Sequence, residues 1–264
     1  MNKTILYYVF GILVFAGVVY YASQSLVFSL KTSPPVIHFL KATEIQKVIN
    51  KDDDHYYDTF HQVDFDVRQI KNKKEYLEKI AKSGCEGDDQ VREKITQCIH
   101  RVHDTLLSKQ HAGIHMETFL KIPWKIGFVC DKRYENGLPH TRGDVIILNA
   151  MDVKNRTTSQ VCRLLIHEKT HVYQKTKDMS GYLKENYKVV GSTKKKDNKK
   201  DESIPANPDT DSFIYKNIET NEVLQGKYNK TPTHFRDISF TRDDHTLEHP
   251  FEHMAYNMER LYVV

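Results

Sequence analysis

Between Ser159 and Lys177 the chain reads SQVCRLLIHEKTHVYQKTK, a stretch that restricts the possible folds more than any other. Val161, Cys162, Leu164, Leu165 and Ile166 make the first half of the predicted helix apolar nearly all the way round. A helix without a polar face has to be enclosed by other elements. The chain must therefore build a core around this segment, with Thr157, Thr158 or Ser159 as its cap. Two histidines and an acid follow directly, in His167-Glu168-Lys169-Thr170-His171. Ionisable groups placed there need a partner or a metal ion, because an unpaired charge in a core is costly.

Residues i and i+4 stand on one helical face, so both imidazoles of this H-E-x-x-H pattern reach a single ion. Neutral imidazole binds zinc at about 2.0–2.1 Å. Glu168 projects beside the pair, where a carboxylate hydrogen-bonds a water on the metal without occupying a metal position. A catalytic zinc takes a third protein ligand and leaves one position open. Glu252 is the preferred third ligand. It lies in the first turn of a predicted helix from Pro250 to Tyr262, a rigid element whose proline suits a helix start. Glu248, His249 and His253 lie close by, with His234, His245 and Asp211 farther off. Glu248 and His249 precede the proline, and His253 faces about 100° around the helix. Glu248 and His253 stay open as alternatives.

The fold class expected around these elements is α+β. Residues 36 to about 120 read as mainly helical. Thr43 caps a helix over Glu44–Asn50, Lys74–Lys82 forms another, and Val91, Ile95, Cys98, Ile99, Val102 and Leu106 recur at helical spacing. After Pro123, Trp124–Val129 and Val145–Leu148 are rich in β-branched and aromatic residues and predict two strands joined by a loop. Ser180-Gly181 ends the central helix, and the Lys-rich residues 184–202 predict an exposed mobile loop. Asn207-Pro208-Asp209 signals a turn, with short strands within Phe213–Tyr228 and Phe235–Phe240. The expected organisation is an anchor with flanks over 1–32, a mainly helical region over 33–122 and a third part over 123–264, with 33–264 as one compact unit the alternative. Residues 36–120 cover the cleft, form a separate module or extend the core.

Ile5 to Leu30 contains no charged side chain, and its most apolar part, Ile5–Ala22, spans about 27 Å as a helix. Tyr7, Tyr8, Tyr20 and Tyr21 lie near its ends, where amphipathic rings prefer the headgroup zone. The run exceeds the apolar region of a cleaved signal peptide. The expectation is an uncleaved single-pass transmembrane helix, with residues 5–30 in a lipid bilayer and Ser33-Pro34-Pro35 as a stiff exit. Lys3 weighed against Lys31, Lys41 and Lys47 leaves the orientation open. With 39 Lys+Arg against 35 Asp+Glu the net charge is +4, too mild to expect nucleic acid as a partner. Cys85 and Cys98 pair in an oxidising compartment or serve as small buried apolar groups.

HEKTH on a helix, followed downstream by a helical glutamate in HPFEHMAY, resembles the gluzincin branch of the zincin metallopeptidases. The resemblance covers about Pro123 to Val264. It implies a zincin-like domain with a small mixed sheet and an active-site helix, one zinc per chain on His167, His171 and Glu252, and Glu168 as general base. The activity implied is hydrolysis of a peptide or protein substrate, here by a membrane-anchored enzyme. The family's edge strand, which binds extended substrate, falls at Gly143–Asn149. One departure is that the thermolysin type carries an aspartate four residues after the ligand glutamate, where this chain has Tyr256. More loosely, HEKTHVYQ, NPDTD and HPFEHMAY resemble metallopeptidase-like proteins encoded by large DNA viruses. Such an enzyme needs a donor for the oxyanion, and Tyr215, His234, Tyr256 and Arg142 are the candidates. The rival expectation is a membrane-anchored structural or binding protein on a degenerate zincin scaffold. The intact Glu168 counts against it, since a structural zinc has no use for that acid.

Overall fold

The computed structural model describes residues 14–20, 34–192 and 205–262. The chain opens with β1 (Ile37–Phe39), α1 (Ala42–Lys51), α2 (Gln62–Asp66), α3 (Lys73–Ile80), β2 (Gly84–Cys85), α4 (Asp89–Leu106) and α5 (Met116–Lys121). Then come β3 (Trp124–Val129), β4 (His140–Arg142), β5 (Val145–Asn149), α6 (Ala150–Asn155) and α7 (Thr158–Thr176). The last part holds α8 (Ser180–Asn186), β6 (Tyr187–Ser192), β7 (Phe213–Asn217), β8 (Val223–Leu224), β9 (Gly226–Tyr228), β10 (Ile238–Phe240) and α9 (Pro250–Arg260).

The main sheet is small and mixed. β1, β3 and β5 run parallel in that order, β4 pairs antiparallel with β5 at the edge, and β2 pairs antiparallel with the far end of β3. Every residue of β5 is buried, as expected of a strand covered on both faces. Successive side chains point to opposite faces. Ile126, Phe128, Ile146 and Leu148 thus join the larger core with α4, α7 and α9. Val129, Val145 and Ile147 join a second core with Ile45 and Ile49 of α1 and Tyr76 and Ile80 of α3. Gly127 lets α1 approach this closely, because a Cβ there would lie 1.6 Å from Ile45 Cδ1. Two smaller antiparallel sheets, β6-β7-β8 and β9-β10, complete the architecture.

The α+β class and the small mixed sheet are therefore present, but several expectations need correction. The region before Pro123 is not helical throughout, since β1 and β2 pair directly with β3. Strands of two or three residues are too short to leave a periodic signal. The edge strand is β4, with β5 in the interior between β3 and β4. α7 ends at Thr176, and Ser180-Gly181 opens α8 instead of terminating α7. The expected loop over 184–202 is regular at its start, as the end of α8 and as β6 against β7, while residues 193–204 lie outside the described residues.

The transmembrane helix is overturned. Residues 14–20 of the expected anchor are helical, and the rest of Ile5–Leu30 lies outside the described residues. Among the described residues no helix is long and apolar enough to cross a membrane. The expected membrane location falls with it.

Cys85 and Cys98 do not pair with each other. The bridges are Cys85–Cys130 and Cys98–Cys162. In the first, Cys85 lies opposite Phe128, and Cys130, two residues beyond that partner, stands diagonally across from it. In the second, α4 lies on α7 with the two Cα atoms 4.9 Å apart. Both Cys98 and Cys162 are fully buried. Replacing both by alanine removes a cross-link and leaves the packing nearly intact. The expected loss is about 2–4 kcal/mol of unfolding free energy, read from urea denaturation of the double variant against the parent.

Candidate metal centre

α7 is set by its own ends and faces. Thr157 and Gln160 form a reciprocal capping box, Thr157 N–H donating to Gln160 Oε1 at 2.8 Å and Gln160 N–H to Thr157 Oγ1 at 3.3 Å. Val161, Cys162, Leu165 and Ile166 enter the larger core. Lys169 is also enclosed, with Nζ donating to the Ile122 carbonyl and lying 4.0 Å from the Trp124 ring centroid. Burial pushes the Lys169 pKa well down. The remaining stripe, His167, Glu168, His171, Gln174 and Lys175, lines a cavity of about 430 Å³. That volume falls in the ordinary range for small-ligand sites.

α9 supplies the opposing side. Pro250 starts it where no N–H is needed, and the His249 ring accepts from Phe251 N–H at 3.2 Å. Met254, Ala255 and Met258 are fully buried, the two methionines in the larger core with the apolar half of α7. This packing sets Glu252 against the two histidines. His167 Nε2 lies 3.2 Å from Glu252 Oε2, and His171 Nε2 lies 3.5 Å from Glu252 Oε1. One donor atom from each of the three lies within 4.8 Å of the others. The His167–His171–Glu252 group can hold a metal ion. Its donor set fits one: ligands at about 2.0–2.1 Å in a tetrahedron stand roughly 3.3 Å apart, close to both spacings. Side-chain exposures of 12, 16 and 12% leave a narrow opening to the cavity.

Each imidazole is also oriented through its other nitrogen. His167 Nδ1 lies 2.7 Å from Glu259 Oε1, and His171 Nδ1 lies 2.8 Å from Gln174 Oε1. Gln174 Nε2 in turn donates to the Phe251 carbonyl at 2.9 Å, tying the second histidine to α9. With Nδ1 as the donor, the Nε2 lone pairs face Glu252, as metal-binding histidines require. Glu259 thus occupies the orienting role for which Tyr256 has no carboxylate. Tyr256 instead packs edge-on against His167, with ring centroids 4.8 Å apart. Glu252 receives a further hydrogen bond from Asn207 Nδ2 at 3.0 Å. Glu168 is 4% exposed, and its Oε2 accepts from Thr141 Oγ1 of β4 at 3.0 Å.

The electrostatics follow the same contacts. Burial alone would lower the His167 pKa, but hydrogen bonds to Glu252 and Glu259 raise it to about 10. His171 is likewise raised against its burial by the charge of Glu252. Glu252 is held well below the carboxylate range by the two imidazoles, which outweigh its desolvation. Glu248 goes the other way, pushed up to about 8 by burial and by the neighbouring Glu252 charge.

The other residues singled out in the sequence lie elsewhere. Arg142 is 2% exposed and held by Asp52 at 3.0 Å and Asp54 at 2.8 Å. Tyr215 donates to Asp211 Oδ2 at 2.7 Å. His234 is exposed, its ring accepting from Arg236 N–H at 3.2 Å. None of these three, nor Tyr256, lines the cavity. His253 Nδ1 bonds the Tyr187 hydroxyl at 2.9 Å, whereas Glu248 does line the cavity. The sequence reading missed Glu259, Gln174, Thr141 and Asn207. Glu259 stands at i+7 from Glu252 and Gln174 at i+3 from His171, so helical spacing was the available signal for both. Comparison with family models, curated proteins and solved structures finds no match to the chain.

Two measurements check this arrangement. Glu259→Ala should weaken metal affinity about 10–100-fold, the usual cost of losing such an orienting partner, in a competition titration against a chromophoric chelator. In the metal-free site a proton on His167 is held up to about 10 and has to leave when a metal binds. Affinity should therefore rise about tenfold per pH unit from pH 6 to 8 in the same titration, and a flat profile would contradict proton displacement at this histidine.

Proposed function

We propose that this protein is a zinc-dependent metallopeptidase of the zincin type, with one zinc per chain on His167, His171 and Glu252 and Glu168 as general base. The observation that carries this reading is a division of labour. Two imidazoles and Glu252 converge on one point, while Glu168 faces the same cavity outside that ligand group, its carboxylate fixed by Thr141. A purely structural zinc closes its coordination with four protein ligands and needs no such acid.

Zinc bound there supplies a Lewis acid for the substrate carbonyl and lowers the pKa of a coordinated water from about 15.7 to near 7. Glu168 accepts the proton of the attacking water and passes it to the amine as the C–N bond breaks. The Thr141 hydroxyl donates to Oε2 of Glu168 and holds that carboxylate at the cavity wall. An extended peptide fits along β4, the edge strand next to the cavity, by adding main-chain hydrogen bonds to the sheet. Lys175 steadies that edge, with Nζ donating to the Thr141 carbonyl at 2.6 Å and pairing with Asp209 at 3.2 Å.

The test separates metal from chemistry. Glu168→Gln should keep one zinc per chain and lose about 10²–10⁴-fold in peptide hydrolysis, whereas His171→Ala should lose the metal. A Glu168→Gln variant that cleaves as fast as the parent would refute the assignment of the base.

A further inference from the structure

We infer that Glu248 anchors a cationic group of the substrate, an N-terminal ammonium or a Lys or Arg side chain, beside the metal centre; this rests on the peptidase reading above. The argument starts from charge inside the cavity. Five acids line it: Glu135, Glu168, Asp209, Glu248 and Glu252. Four have an assigned partner or task. Glu135 is gripped by Arg68 at 2.5 Å, and Asp209 pairs with Lys175 at 3.2 Å. Glu252 faces the two histidines, and Glu168 is the base, held by Thr141.

Glu248 differs from all four. Its side chain accepts from the amide of Asn207, and the positive charge it feels, that of His167, is already claimed by Glu252 and Glu259. The cavity's own cations, Arg68 and Lys175, are already paired, so a bound dication still leaves one acid uncompensated. The backbone also holds this acid in place. A Cβ at Gly226 of β9 would lie 2.5 Å from Glu248 Cγ and 3.1 Å from Cδ, so the strand presses against the stem of the side chain.

A substrate cation beside this carboxylate gains a charge-assisted hydrogen bond, roughly twice as strong as a neutral one. Tyr228, Phe235 and Ile238 line the same cavity and offer apolar surface to the stem of the incoming residue. An ammonium at the chain end makes the enzyme trim peptides from their amino terminus, and a basic side chain makes it cut internally near Lys or Arg.

Binding decides this independently of turnover. The zinc-loaded full-length Glu168→Gln protein is titrated by calorimetry with three short peptides of one apolar sequence. The first has a free amino terminus, the second is N-acetylated, and the third is N-acetylated with one Lys scanned along it. At least one cationic peptide should bind about tenfold or more tightly than the neutral one, the scale of one charged hydrogen bond. Adding Glu248→Gln, which mimics the protonated acid in shape, should cut that preference below about twofold with zinc content and Tm unchanged. Which cationic peptide wins identifies the source of the charge. Equal or absent binding of all three, or a preference that survives Glu248→Gln, overturns the inference. A cationic preference that vanishes in Glu248→Gln, together with no cleavage by the Glu168-intact enzyme, overturns the peptidase reading and leaves the anchor standing.

Discussion

One imidazole held between two acids of a second helix is the contact on which the rest of the site depends. His167 offers Nδ1 to Glu259 and Nε2 to Glu252, so both ends of its ring are claimed by α9. Such a contact fixes how far α9 slides and rotates against α7. It also requires a positive charge between ring and carboxylates, either a proton or a metal ion. The surrounding packing makes that requirement enforceable: Met254 and Met258 of α9 and the Val161–Ile166 half of α7 are part of one close-packed core and leave the two helices no room to separate.

Around this pair the wall of the cavity links Glu252 to Glu168. Asn207 holds Glu252, and two residues later Asp209 pairs with Lys175, which bonds the carbonyl of Thr141. The hydroxyl of that same threonine holds Glu168. The segment from Asn207 to Asp209 therefore reaches both acids, Glu252 directly and Glu168 through two side chains. Its conformation is set locally, because Asn207 Oδ1 accepts from Asp209 N–H at 3.0 Å, an Asx turn.

Much of this was legible in residue order, for identifiable reasons. The apolar run before His167 announced an enclosed helix, and i/i+4 spacing announced a shared ligand face. Pro250 located the start of the helix that carries Glu252. What stayed hidden depended on pairing between distant segments. β1 and β2 are too short to show a pattern, and their place beside β3 comes from register. The cysteine partners were hidden for the same reason, since neither bridge can be read without knowing that β2 lies on β3 and α4 on α7. Thr141 and Asn207 look like ordinary strand and turn residues until the fold brings them to the two acids. The uncharged N-terminal run misled differently: composition alone suggested a bilayer span, whereas among the described residues no helix is long and apolar enough to cross a membrane.

The two bridges overlap along the chain, Cys98 lying inside the loop closed by Cys85–Cys130 and Cys130 inside the loop closed by Cys98–Cys162. No single backbone scission between Cys85 and Cys162 can release a fragment. A nick before Cys98 is spanned by the first link, one after Cys130 by the second, and one in the middle by both. The central strands and the start of the histidine-bearing helix thus stay covalently joined after any one break between Cys85 and Cys162.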